Sequence, residues 1–232
     1  MSRLNSKRRF SSLAAAISAA VFAGCVLAKP SQAADGDDVS RAAAAVGCEL
    51  GGPWAATLRP LPSEPDLHAV ATVSGDSTAN DGGVLCVGVV QMTRSDFKKV
   101  AGLNGAPHLP ADVNPITNTY VTIDSIPFRI SPTEAAFAVR VTEEFNSTST
   151  NYNSTELYLF RRRGNKLNEI FHANVGDELL DKTNDAAGAR KHRLIVKFSN
   201  RLHRGAYDLI LSRDRGGSSR RFIWSGSRYV AT

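Results

Sequence analysis

The chain has 232 residues, 42% of them apolar and 22% charged, which excludes wholesale disorder and leaves room for one ample domain or two small ones. Its formal charge is +6, but Arg3, Lys7, Arg8, Arg9 and Lys29 lie unopposed within residues 1–33, so residues 34–232 carry only +1. The basic balance is therefore no mark of a nucleic-acid binder.

From the N-terminus, Met1–Ser12 is polar and basic, Leu13–Ala28 is an Ala-rich apolar run, and Ser31 and Ala33 are small. That is the three-part plan of a secretory signal helix, cleaved after Ala33, in residues 1–33. The run is shorter than the roughly 20 apolar residues of a membrane span. It sends the protein to the periplasm or out of the cell. Phe22-Ala23-Gly24-Cys25 resembles a bacterial lipobox, which makes lipidation of Cys25 and a lipid-anchored form the alternative, and the only route to a membrane. Arg8-Arg9 suggests a twin-arginine signal, but Phe10 follows without a spacer. An ordinary cleaved signal is the simpler expectation.

If Cys25 leaves with the signal, Cys48 and Cys86 remain. In an oxidising compartment two leftover cysteines most simply form one disulfide, a pair of buried thiols being the competing reading, and neither has a Cys or His at ligand spacing for a metal.

Residues 34–45 read as a short helix or a lead-in to the first strand. Alternation with period two then marks Trp54–Arg59 and Leu67–Val73, and Val84–Val90 is apolar on both faces, as in a strand covered on both sides. Ser95 offers a cap, Phe97, Val100 and Ala101 an apolar stripe, and Gly102 a stop, so one short helix is expected near 95–102. Residues 104–117, rich in Asn, Pro and Gly, form a loop or boundary between an acidic part, 34–103, and a basic part, 118–232, unless the two make one domain.

Tyr120–Ile130 is strand-like with a break at Pro127, and Ser131-Pro132-Thr133-Glu134 has the form of a capping box that would start one helical turn. Phe137–Thr142 alternates, and Asn146–Ser154 reads as a polar loop. Leu157–Phe160 and Leu167–Phe171 flank a hairpin turn at Arg163–Lys166, and three more runs, Leu194–Phe198, Tyr207–Leu211 and Phe222–Trp224, complete a meander. The expectation is an all-β chain of about ten short antiparallel strands, in a sandwich, barrel or meander.

No catalytic fingerprint is present. His68, His108, His172, His192 and His203 form no metal-binding pair by spacing, and there is no Gly-x-Ser-x-Gly and no phosphate loop. Glu143-Glu144 would point to opposite faces of a strand and could not flank one glycosidic bond. The polar stretch Asp76–Asp81 matches a calcium loop only in part. No catalytic residue, cofactor or metal ligand is assigned.

Charge is the remaining signal: residues 34–150 carry −7 and residues 151–232 carry +8. Arg161, Arg162 and Arg163 lie consecutively at a hairpin end, and Arg220 and Arg221 near another turn. Together they would form a cationic rim for an acidic protein or an anionic envelope polysaccharide, or else pair with the acidic half of their own chain. The function expected is a non-enzymatic binding module of the cell envelope. The alternative is an exported hydrolase whose site is assembled from residues distant in sequence.

Overall fold

The computed structural model describes residues 36–48, 55–74, 83–103, 118–181, 189–214 and 216–232. The signal with Cys25, the 104–117 boundary, the 76–81 loop and His108 lie outside them.

Helix α1 (Gly36–Val46) opens the described chain. Asp37 and Asp38 sit at the positive end of its dipole, and the alanines that follow favour helix. Gly47, with φ of 85°, ends it, and the Cys48 amide donates back to the Ala43 carbonyl at 3.0 Å. Thirteen strands follow: β1 (Ala55–Leu61), β2 (Glu64–Ser74), β3 (Val84–Met92), β4 (Phe97–Leu103), β5 (Asn118–Ile123), β6 (Phe128–Arg129), β7 (Ala135–Asn146), β8 (Thr150–Arg163), β9 (Lys166–Asp181), β10 (Ala189–His203), β11 (Ala206–Arg213), β12 (Ser219–Trp224) and β13 (Tyr229–Ala231). The chain is all-β with a single described helix.

Eight of these strands make one rolled sheet in the order β1-β2-β3-β4-β9-β8-β7-β5. Every pairing in it is antiparallel except β4 with β9, where Gly102 and Leu103 run parallel to Lys166 and Leu167. The roll brings β5 beside β1, yet no ladder joins them, so the sheet is mixed and not closed into a barrel. Alternation does the rest. Ala69, Ala71, Val73, Leu85, Val87 and Val89 point inward to meet Val139, Val141, Tyr158 and Phe160 in one buried cluster.

Two outer faces of the roll are covered as well. Val70 and Val90, the outward partners of the β2 and β3 alternation, pack with Leu58 and Phe97 under Ala42, Ala43 and Val46 of α1. The helix is held there by the Cys48–Cys86 disulfide, Cα atoms 5.8 Å apart. It also needs Gly88: a Cβ at that position would come within 2.4 Å of Val46 Cγ1. On the other side, Ala138, Leu157, Leu159, Ile170 and Phe171 are roofed by Leu209, Leu211, Trp224 and Tyr229 of the C-terminal meander. β10 serves both layers, pairing with β9 through Ala189–Arg193 and with β11 from Leu194 onward. Residues 34–232 make one compact unit.

Several expectations are corrected. The helix near 95–102 is the strand β4, and the described helix is α1 instead. Lys99 opposes Val90 and Ala101 opposes Val89, which leaves Val100 as the extra residue of a bulge. A bulged strand reproduces helical spacing without a helical face: Phe97 packs under α1 and Ala101 inside the roll. At Ser131 the predicted side-chain bond forms, with the Glu134 amide donating to Ser131 Oγ at 2.9 Å. The Ile130 amide, however, donates to the Glu134 carbonyl at 3.1 Å, and the chain bends into β7 without a helical turn. Asn146–Ser154 is mostly strand, because Asn146 pairs with Asn151 and only residues 147–149 turn.

Candidate binding site

The arginine-rich hairpin end is tied into the protein itself. Arg161 is only 5% exposed: its guanidinium lies over the Trp224 ring, 4.7 Å from the centroid, and donates to Glu134 Oε2 at 3.4 Å. Burial, reinforced by the neighbouring charge of Arg163, lowers its pKa, and Glu134 works against that fall. Arg163 donates to the other oxygen of Glu134 at 3.0 Å. Arg162 pairs with Glu64 at the start of β2. On β12, Arg221 donates from Nε to Asp208 Oδ2 at 2.9 Å, while Arg220 is exposed with no side-chain partner among the described residues. The hairpin arginines thus clamp the roll to the bend before β7 and to the β1–β2 turn.

The described histidines stand apart from one another. His68 on β2 has a buried Nδ1 with no partner among the described residues, and burial lowers its pKa. His172 hydrogen-bonds Glu156 at 2.8 Å and stacks on Tyr158, centroids 4.3 Å apart and planes 3° from parallel. His203 hydrogen-bonds Asp208, which is buried and also holds Arg221. Burial alone would raise the Asp208 pKa; the bonds from Arg221 and His203 overcome that and hold it below the usual carboxylate range. Two carboxylate–imidazole pairs are therefore assembled, one across the β8–β9 hairpin and one across the β10–β11 hairpin. Among the described residues no Ser, Thr or Cys side chain hydrogen-bonds either imidazole, and no group of three His, Cys, Asp or Glu is placed to hold a metal.

Glu143 and Glu144 do face opposite sides of β7. The charge of Glu143 helps raise the pKa of the buried Tyr158 inside the roll, after burial, Glu156 and Glu169, whereas Glu144 borders an outer groove. Ser225–Ser227 is a turn, closed by the Ser225 amide on the Arg228 carbonyl at 2.9 Å.

That outer groove was not visible in the sequence. Beyond the roof of the meander, the outward faces of β7, β8, β9 and β10 continue as a polar trough of about 460 Å³, within the range of small-molecule sites. Its floor carries the hydroxyls of Thr142 and Thr155, 3.0 Å apart, and the bare backbone of Gly176. An ordinary side chain would fill this floor, since a Cβ on Gly176 meets nothing nearer than 3.6 Å. Around it stand three basic side chains, those of Arg140, Lys191 and Arg193. Arg140 is held by two bonds to Asp124, at 2.8 and 2.9 Å, and Lys191 by Glu178 at 2.6 Å. Arg193 has no side-chain partner among the described residues, and His192, which opposes Asp177 where Arg193 opposes Gly176, turns to the other face of β10. A second hollow of about 250 Å³ shares Asn153 and Glu178 with the first and extends it past Asn151, Asn146 and Glu144.

The Cys48–Cys86 bond is consistent with an oxidising compartment outside the cytoplasm. Among the described residues no helix is long and apolar enough to cross a membrane. Comparison with protein-family models, with curated proteins and with solved structures finds no match to this chain.

Proposed function

We propose that this is an exported envelope protein that binds an anionic polymer in the β7–β10 groove and does no chemistry on it. The observation that carries this reading is the Arg193 guanidinium, without a side-chain partner among the described residues, on a groove of ligand size. A cation held in a concavity, with no carboxylate of its own, is arranged to take an acid group from outside. The N-terminal address and the disulfide support a periplasmic or secreted location. Cleavage leaves a mature N-terminus at or near Ala34, and a diacylated or triacylated Cys25 on mass spectrometry selects the lipid-anchored form. The hydrolase reading has the Glu156–His172 pair in its favour but no nucleophile beside it among the described residues.

Calorimetric titration of the protein purified from its host with polygalacturonate, at low and high salt, tests the proposal. Binding that weakens with salt and is lost in Arg193→Gln but kept in Arg220→Gln supports it. No binding to the wild type, or equal loss in both variants, overturns it.

A further inference from the structure

Resting on that reading, we propose that the groove's ligand is an acidic oligosaccharide, laid along β8 with its acid group at Arg193 and its hydroxyls at Asn151 and Asn153. The two halves of the groove differ in chemistry. At the β10 end the uncommitted group is a cation, Arg193. At the far end they are amides and a carboxylate. Asn151 has a buried Oδ1 with no hydrogen-bond partner, and among the described residues the side chains of Asn153 and Glu144 have none either.

The Asn151 acceptor, buried without a partner, is costly as it stands, and turning its amide toward the groove would let a ligand hydroxyl satisfy it. Glu144 repels a second acid group, so a polyanion charged along its whole length suits only one end. A chain of sugar units suits both: hydroxyls donate to Asn151 Oδ1 and to the Glu144 carboxylate and accept from the amide nitrogen of Asn153. The two asparagines sit two positions apart on one strand, hence on one face, about 6.7 Å from each other along it. Gly176 leaves the floor clear under the junction of the halves.

The experiment compares three probes on the protein: a trisaccharide of two galactose units ending in one galacturonic acid, the corresponding neutral galactose trimer, and inorganic polyphosphate. The trimer acid is expected to bind best. Asn151→Ala and Asn153→Ala should each weaken it roughly tenfold, as for one lost hydrogen bond, without touching polyphosphate binding. Arg193→Gln should erase the preference for the acid over the neutral trimer. Gly176→Val, which fills the floor without altering charge, should abolish binding of the trimer, with thermal unfolding confirming that it is folded. If polyphosphate binds as well as the trimer and the asparagine variants change nothing, the saccharide inference falls while the anion-binding reading stands. If no anion binds at all, both fall.

Discussion

The guanidinium of Arg161 rests on the indole of Trp224, joining the tip of the β8–β9 hairpin to the C-terminal meander. A cation desolvated on an aromatic face is worth about 2 kcal/mol, and Glu134 adds a charge-assisted bond at 3.4 Å. Arg161→Ala is therefore expected to cost about 3 kcal/mol in urea unfolding. Arg163, half out in solvent on the same Glu134, should cost less than about 1 kcal/mol when replaced by alanine. Arg161→Lys should fall between, keeping the charge but losing the planar stack.

Gly88→Ala tests the seat of α1. The new methyl would stand 2.6 Å from Val46 Cβ as well as 2.4 Å from its Cγ1, so changing the Val46 rotamer cannot relieve it. A loss of about 1–3 kcal/mol is expected, with faster proteolysis within residues 36–48. Val46→Ala should not rescue it, because that Cβ remains.

Reducing the Cys48–Cys86 bond, or replacing both residues by serine, should lower stability by about 2–4 kcal/mol in the same assay. Alkylation of the native protein before reductant is expected to label neither residue.

Acid should destabilise the fold in two steps. Burial lowers the pKa of His68 from its ordinary 6.5, so below that pH the unfolded chain takes up a proton that the folded one resists. Stability then falls as the pH drops from 6.5 toward the folded pKa, and His68→Gln should flatten this limb of the urea midpoints. Asp208 acts lower. Its folded pKa lies below the unfolded value, so its contribution is whole above the carboxylate range and is lost as the pH falls through the folded pKa. Asp208→Asn should remove that lower limb at a cost of about 2 kcal/mol, below that of a fully buried pair because Arg221 and His203 reach solvent.

What the sequence disclosed follows how local each signal is. The β2 and β3 alternation, the two-sided burial around Val87 and the turn at Gly164, with φ of 59°, each depend on neighbours a few residues away, and each is found in the structure. The cysteine pair needed only counting. β4 misled because one bulge residue, Val100, imitates helical spacing. The outer half of β8 looked like a loop because its Asn, Ser and Thr residues face a groove and not a core. Of the readings open to the arginines, internal pairing is the one seen, but the sequence could not name the partners. Their partners Glu134, Glu64 and Trp224 lie far away in the chain, and only the rolled sheet brings them within reach.

The parallel contact of β4 with β9 also sets an order of assembly. β1–β4 can zip as a meander as soon as they exist, but the free edge of β4 has no ladder partner until Lys166 and Leu167 have arrived. Everything from β5 to the β8–β9 hairpin must be made first, and that long closure is slow relative to hairpin formation. In the interval the half-built roll presents Leu85, Val87 and Val89 to water beside an unpaired strand, the combination that recruits sticky neighbours. Refolding yield should therefore depend on protein concentration far more steeply than the final stability does.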